Sequence, residues 1–170
     1  MHATVADAML VVPQFASVCC IVGDRYRPRP GVIVPAAVML VAMLMPVVQA
    51  GPSWTILAAA LLLFLAPLPV ARRRRRADGR RAEPMDVHRA LSAVVMAGML
   101  FMGHASELVG GAVHAHALVL TAVLGAGVIG YCAFSGWLLR YEWAREDRRA
   151  VRSGEVFAMT VAVVGMTLAM

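Results

Sequence analysis

The sequence predicts an all-α fold, a polytopic membrane helix bundle of six transmembrane helices with the N and C termini outside, and three observations predict it. The 170-residue chain is 61% apolar and 15% charged, with a mean hydropathy of +0.73. Soluble domains average roughly 45–50% apolar and about 25% charged. The apolar residues fall into six long segments with no amphipathic period, as helices covered by lipid require. All 16 basic residues are arginines, and they sort into alternate connections between those segments.

At about 20 residues per crossing, 170 residues hold six helices with short loops, so residues 1–170 form a single integral membrane domain. The first segment, about 4–23, follows an N-terminus with no Lys or Arg in Met1–Ala16. A cleaved signal needs a basic n-region, so this segment reads as a helix with an exported start. The second, 31–50, is closed by Pro46, Gly51 and Pro52, and the third, 54–71, by Pro67 and Pro69. The fourth, 87–107, has only about 21 Å of helix between Arg89 and His104. It is therefore expected to run on toward Glu107, with Arg89 snorkelling to the interface. The fifth, 112–139, carries Ala122, Ala126 and Gly130 at four-residue spacing with Gly127 beside them. Such a small-residue face lets another backbone approach closely and predicts a helix in the middle of the bundle. The sixth, 153–170, reaches about 27 Å. Trp54 at an outer border, and Trp137, Tyr141 and Trp143 at an inner one, match aromatic belts.

The arginines orient the segments. Arg25, Arg27 and Arg29 follow the first; Arg72, Arg73, Arg74, Arg75, Arg76, Arg80 and Arg81 follow the third, with Arg89 opening the fourth. Arg140, Arg145, Arg148, Arg149 and Arg152 follow the fifth. Loops this basic stay in the cytoplasm, which predicts a multi-pass protein of the plasma (inner) membrane. The run from Arg72 to Arg81 is then topogenic and suited to anionic lipid at the inner face. Nucleic acid is not an expected partner, because bilayer segments interrupt the basic residues and no aromatic platform interleaves them. Cys19, Cys20 and Cys132 lie in apolar runs and read as small core residues.

Chemistry-bearing residues are few. His104, Glu107, His114 and His116 fall in or beside an arginine-free outer loop, near Met45, Met99, Met102, Met166 and Met170. Imidazole with thioether is a ligand set that Cu(I) selects. Copper is therefore the one cofactor the sequence suggests, with His104, His114, His116, Met99, Met102, Met166 and Met170 as the metal set. The competing reading is packing, since methionine fills irregular gaps. Haem is disfavoured: His88 and His104, about 24 Å apart along one helix, cannot share an iron. His88 reads instead as an interfacial residue beside Asp86 and Arg89. Nine of the 12 methionines lie in the second, fourth and sixth segments, which suggests a repeat of three hairpins with unequal spacing. No ionisable group marks the middle of a helix, against a proton-coupled carrier. No GxSxG, HExxH or paired carboxylates argue for catalysis. The expected function is non-enzymatic: an accessory or assembly subunit that packs against a membrane protein partner or a second copy through the fifth segment. The alternative is copper handling at the outer face.

The stretch HRALSAVVMAGMLFMG, and also GEVFAMTVAVVGMTLAM, resembles a family of small actinobacterial multi-pass proteins classed as a domain of unknown function. Its helices begin His-x-x-Met-x-x-x-Met-x-x-Met. Met96 and Met99 match the last two positions, while Arg89 stands at the His position, with His88 one step off, and Ser92 at the first Met. In the sixth segment Met159 and Met166 match, with Val156 and Val163 at the other two positions. The resemblance implies a membrane bundle and assigns no activity.

Overall fold

The computed structural model describes residues 11–13, 15–19, 30–48, 51–68, 71, 83–108, 114–144 and 149–169. Among the described residues there are helices and turns and no strand, so the all-α class holds. Five helices are named here in chain order: α1 (Pro30–Val47), α2 (Pro52–Leu65), α3 (Pro84–Leu108), α4 (His114–Trp143) and α5 (Arg149–Ala169). Residues 11–13 and 15–19 are also helical, within the first apolar segment.

Three of these helices start on a proline, at Pro30, Pro52 and Pro84. The ring fixes φ near its helical value, and the missing N–H is one the first turn leaves unused anyway. Ahead of α2, Gly51 accepts a bond from Thr55 Oγ1 at 3.2 Å. At the far end α2 stops at Leu65, before Pro67. The fourth segment begins three residues earlier than expected and runs through Glu107 to Leu108, and the sixth begins at Arg149.

Two of the described helices are long and apolar enough to cross a membrane, over Pro84–Met102 and Leu118–Trp143, while Pro52–Leu65 is apolar but shorter. Six such helices were expected. The first and last apolar segments lie partly outside the described residues, and α2 falls short because it has 14 residues.

The centre of the bundle is α3, not α4. Helix α3 packs on α2, α4 and α5, and 56% of its apolar stretch is buried, against 11% for α4. This corrects the placing of the small-residue helix in the middle. Ala122, Ala126, Gly127 and Gly130 are all exposed, and a Cβ built on Gly127 or Gly130 would meet nothing within 4 Å. Larger side chains reach the core instead: Met96 and Met99 from α3, Met39 and Met43 from α1, Leu62 from α2, Tyr131 from α4, and Met159, Val163 and Met166 from α5.

Side-chain contacts fix the directions. Arg89 meets Glu155 and Ser92 meets Met159, at sequence separations of 66 and 67, so α3 and α5 run parallel. His88 meets Ser135 while Gly98, later in α3, meets Leu124, earlier in α4. Those two helices are therefore antiparallel.

At Gly98 the Leu124 side chain packs directly onto α3: a Cβ there would stand 3.0 Å from Leu124 Cδ1. A Gly98→Leu variant is expected to lose about 1–3 kcal/mol, the usual cost of overpacking. Gly127→Leu, on the open face, should leave the thermal unfolding midpoint unchanged. Melting of the two purified variants in detergent checks this; equal midpoints would refute the close approach.

Candidate functional site: a buried polar layer under a methionine core

Where α3 and α5 begin and α4 ends, charged and polar side chains meet in the protein interior. Arg89 donates through Nε to Glu155 Oε1 at 2.6 Å and through an Nη to Oε2 at 2.8 Å. This two-point geometry is the strong form of a guanidinium–carboxylate pair. The Glu155 side chain is 3% exposed, and Asp86, one turn back on α3, lies 3.7 Å from the guanidinium. A second pair sits beside the first: Arg152 donates to Glu83 at 2.8 Å and stands 3.7 Å from the buried Glu142. The Arg89 side chain turns toward α5, which presents a carboxylate at the matching level.

His88 is fully buried within the bundle. Its ring stacks on Tyr131 at 5.0 Å between centroids, with Phe134 next at 6.4 Å. Nε2 lies 3.0 Å from Ser135 Oγ. Ser135 has one hydroxyl proton and donates it to the Tyr131 carbonyl at 2.8 Å, so Nε2 is the donor to Oγ. The proton is then on Nε2 and the lone pair on Nδ1, and Nδ1 is buried without a hydrogen-bond partner.

One turn further along α3, Ser92 donates to the Arg89 carbonyl at 2.9 Å. Its oxygen lies 4.0 Å from Met39 Sδ and 3.9 Å from Met159 Sδ. The single proton goes to the short carbonyl contact, which leaves both sulfurs with their lone pairs unengaged by it. Met43, Met96, Met99 and Met166 complete a core of six buried methionines.

The layer exposes a repeat. His88, Ser92, Met96 and Met99 on α3, and Glu155, Met159, Val163 and Met166 on α5, share one spacing, and all eight are buried. Sequence reasoning missed Glu155, because it looked for a histidine three residues before the first methionine. The dipeptide Gly-Met, at 98–99 and 165–166, was the mark that could have set the alignment.

Of the seven residues expected to hold a metal at the outer face, three have described side chains. Met99 and Met166 are core side chains and Met102 is half-buried. His104 lies on the last turns of α3, and His114 and His116 on the first turn of α4, within the expected helical segments. Their side chains, and Met170, lie outside the described residues, as do Arg72, Arg73, Arg74, Arg75, Arg76, Arg80 and Arg81. Among known proteins, no family model, no curated protein and no solved structure matches the chain.

Removing one partner of a buried pair strands the other charge. Arg89→Met should therefore destabilise by about 3–5 kcal/mol, and the double variant with Glu155→Met should recover most of that loss. A double-mutant cycle read by thermal unfolding measures the coupling; additive losses would mean that the two side chains do not interact.

Proposed function

We propose that the chain is a multi-pass integral protein of the plasma membrane, crossing six times with both termini outside. In this reading it acts without catalysis, as an accessory or assembly subunit that receives a partner's transmembrane segment on α4. The observation that carries the reading is the state of α4: the 26-residue stretch Leu118–Trp143 has mean hydropathy 2.0, and of its side chains only Tyr131, Ser135, Leu138 and Glu142 are buried. Such a surface is costly in water and at ease in lipid. Helix α1 adds to this, since its 18 residues carry no charge and reach about 27 Å. The sorting of the arginines supports the orientation, and the run from Arg72 to Arg81 suits anionic lipid on the cytoplasmic leaflet.

The choice of a partner over lipid alone rests on side-chain size. A face that meets only acyl chains is indifferent to whether it carries Leu or Gly. The row Ala122, Ala126 and Gly130, with Gly127 beside it, lets a second backbone come close. Among the described residues no helix fills that row, since the four residues are exposed. A membrane protein partner or a second copy of the chain fits it.

Orientation is tested by single cysteines at Gly79 and Gly111 in a background without Cys19, Cys20 and Cys132, using an impermeant thiol reagent on intact cells. Only the second should be modified, and modification at Gly79 would sink the topology. For the docking face, the protein in mild detergent should run as a complex, and Ala126→Leu with Gly130→Leu should dissociate it without lowering the unfolding midpoint. A wild-type protein that is monomeric and copurifies with nothing would remove the basis of the reading.

A further inference from the structure

The methionine core has a composition that packing alone does not require. Leucine or isoleucine fills a lipid-embedded interface equally well, and a serine hydroxyl at its centre contributes little to apolar packing. Yet Ser92, fully buried, lies between the sulfurs of Met39 and Met159, which come from two other helices. On the same face of α3, one turn back, His88 holds an unpartnered Nδ1. Among the described residues no three His, Cys, Asp or Glu side chains are grouped as metal ligands, so the soft donors of this layer are thioethers. Neutral thioether sulfur binds soft monovalent cations and discriminates against hard ones, and imidazole is compatible with both.

We propose that the level of Met39, Ser92 and Met159 is a buried binding site for a soft monovalent cation of the Cu(I) class. The sulfurs of Met39 and Met159 are its core ligands, and His88 Nδ1 is the nitrogen donor. Three neutral ligands leave the cation's single charge to be balanced by the acidic side chains one turn away, Asp86 and Glu155, which face Arg89. The site is distinct from the outer His/Met set, because none of its ligands belongs to that set. It stands apart from the docking role of α4 and does not depend on it.

The test uses the full-length protein in detergent with ascorbate, titrated with Cu(I) against a chromogenic Cu(I) chelator, with X-ray absorption to count sulfur and nitrogen neighbours. The wild type should hold one Cu(I) per chain against the chelator, with sulfur in its first shell. Met39→Leu with Met159→Leu, close in volume and so tolerated by packing, should weaken binding by more than the roughly 10–100-fold typical of altering only outer partners of a metal site. His88→Gln should remove the nitrogen neighbour, and a variant with His104, His114 and His116 all changed to Ala should bind as the wild type does. Should the double variant fail to fold, Met159→Leu alone makes the same comparison. Copper that is lost with the outer histidines, copper retained at full affinity without Met159, or a wild type that yields all its copper to the chelator would each overturn the proposal.

Discussion

The two-point contact between Arg89 and Glu155 governs how the second half of this chain assembles. Both groups are largely withdrawn from solvent, and each is tolerable there only because the other is present. A guanidinium fork that meets both carboxylate oxygens admits little sliding or rotation. It therefore fixes the level of α5 against α3 to within a fraction of a helical turn. Apolar packing alone could not do this, since a helix rich in Met, Val and Ala can shift by one turn and still present Met, Val and Ala. With that register set, Ser92 comes opposite Met159 and the equivalent residues of the two helices share levels. Helix α4, running the other way, closes the layer through Ser135 and Tyr131 beside His88.

Helix content and helix position were legible in the sequence because long uncharged runs bounded by proline, glycine and arginine leave few alternatives. The helices at Pro30, Pro52 and Pro84 begin within one to three residues of the expected starts at 31, 54 and 87. The core was legible only in part. Methionines were visible as a group, but a helix apolar on every side carries no stripe to tell which face turns inward. Met99 and Met166 could therefore be placed along their helices, but not on the inward face that they occupy.

The polar layer was hidden for a different reason. Glu155 and Arg89 stand 66 residues apart, and each looks like an ordinary boundary residue at the start of its helix. Charge position along the chain is what predicts a membrane border. It does not report that two border residues face each other instead of the head groups. The small residues of α4 were misjudged by the same kind of shortfall: Ala122, Ala126 and Gly130 say that a backbone can approach, and nothing in the sequence says whose backbone it is. Within the chain, the tight contact at a glycine is instead that of the Leu124 side chain on Gly98.

The brevity of α2 has a bearing on the surrounding lipid. Its 14 residues rise about 21 Å, while a hydrocarbon core measures about 30 Å, and Trp54 and Phe64 near its two ends are exposed. In the membrane reading, α2 meets the bilayer with a hydrophobic mismatch of several ångströms on the side away from α4. Acyl chains next to it must compress or disorder to keep its ends covered. The bundle would then be asymmetric in its demand on the membrane, thin beside α2 and of full thickness beside the 26 apolar residues of α4. That difference gives the molecule a preferred orientation at any boundary between thinner and thicker lipid.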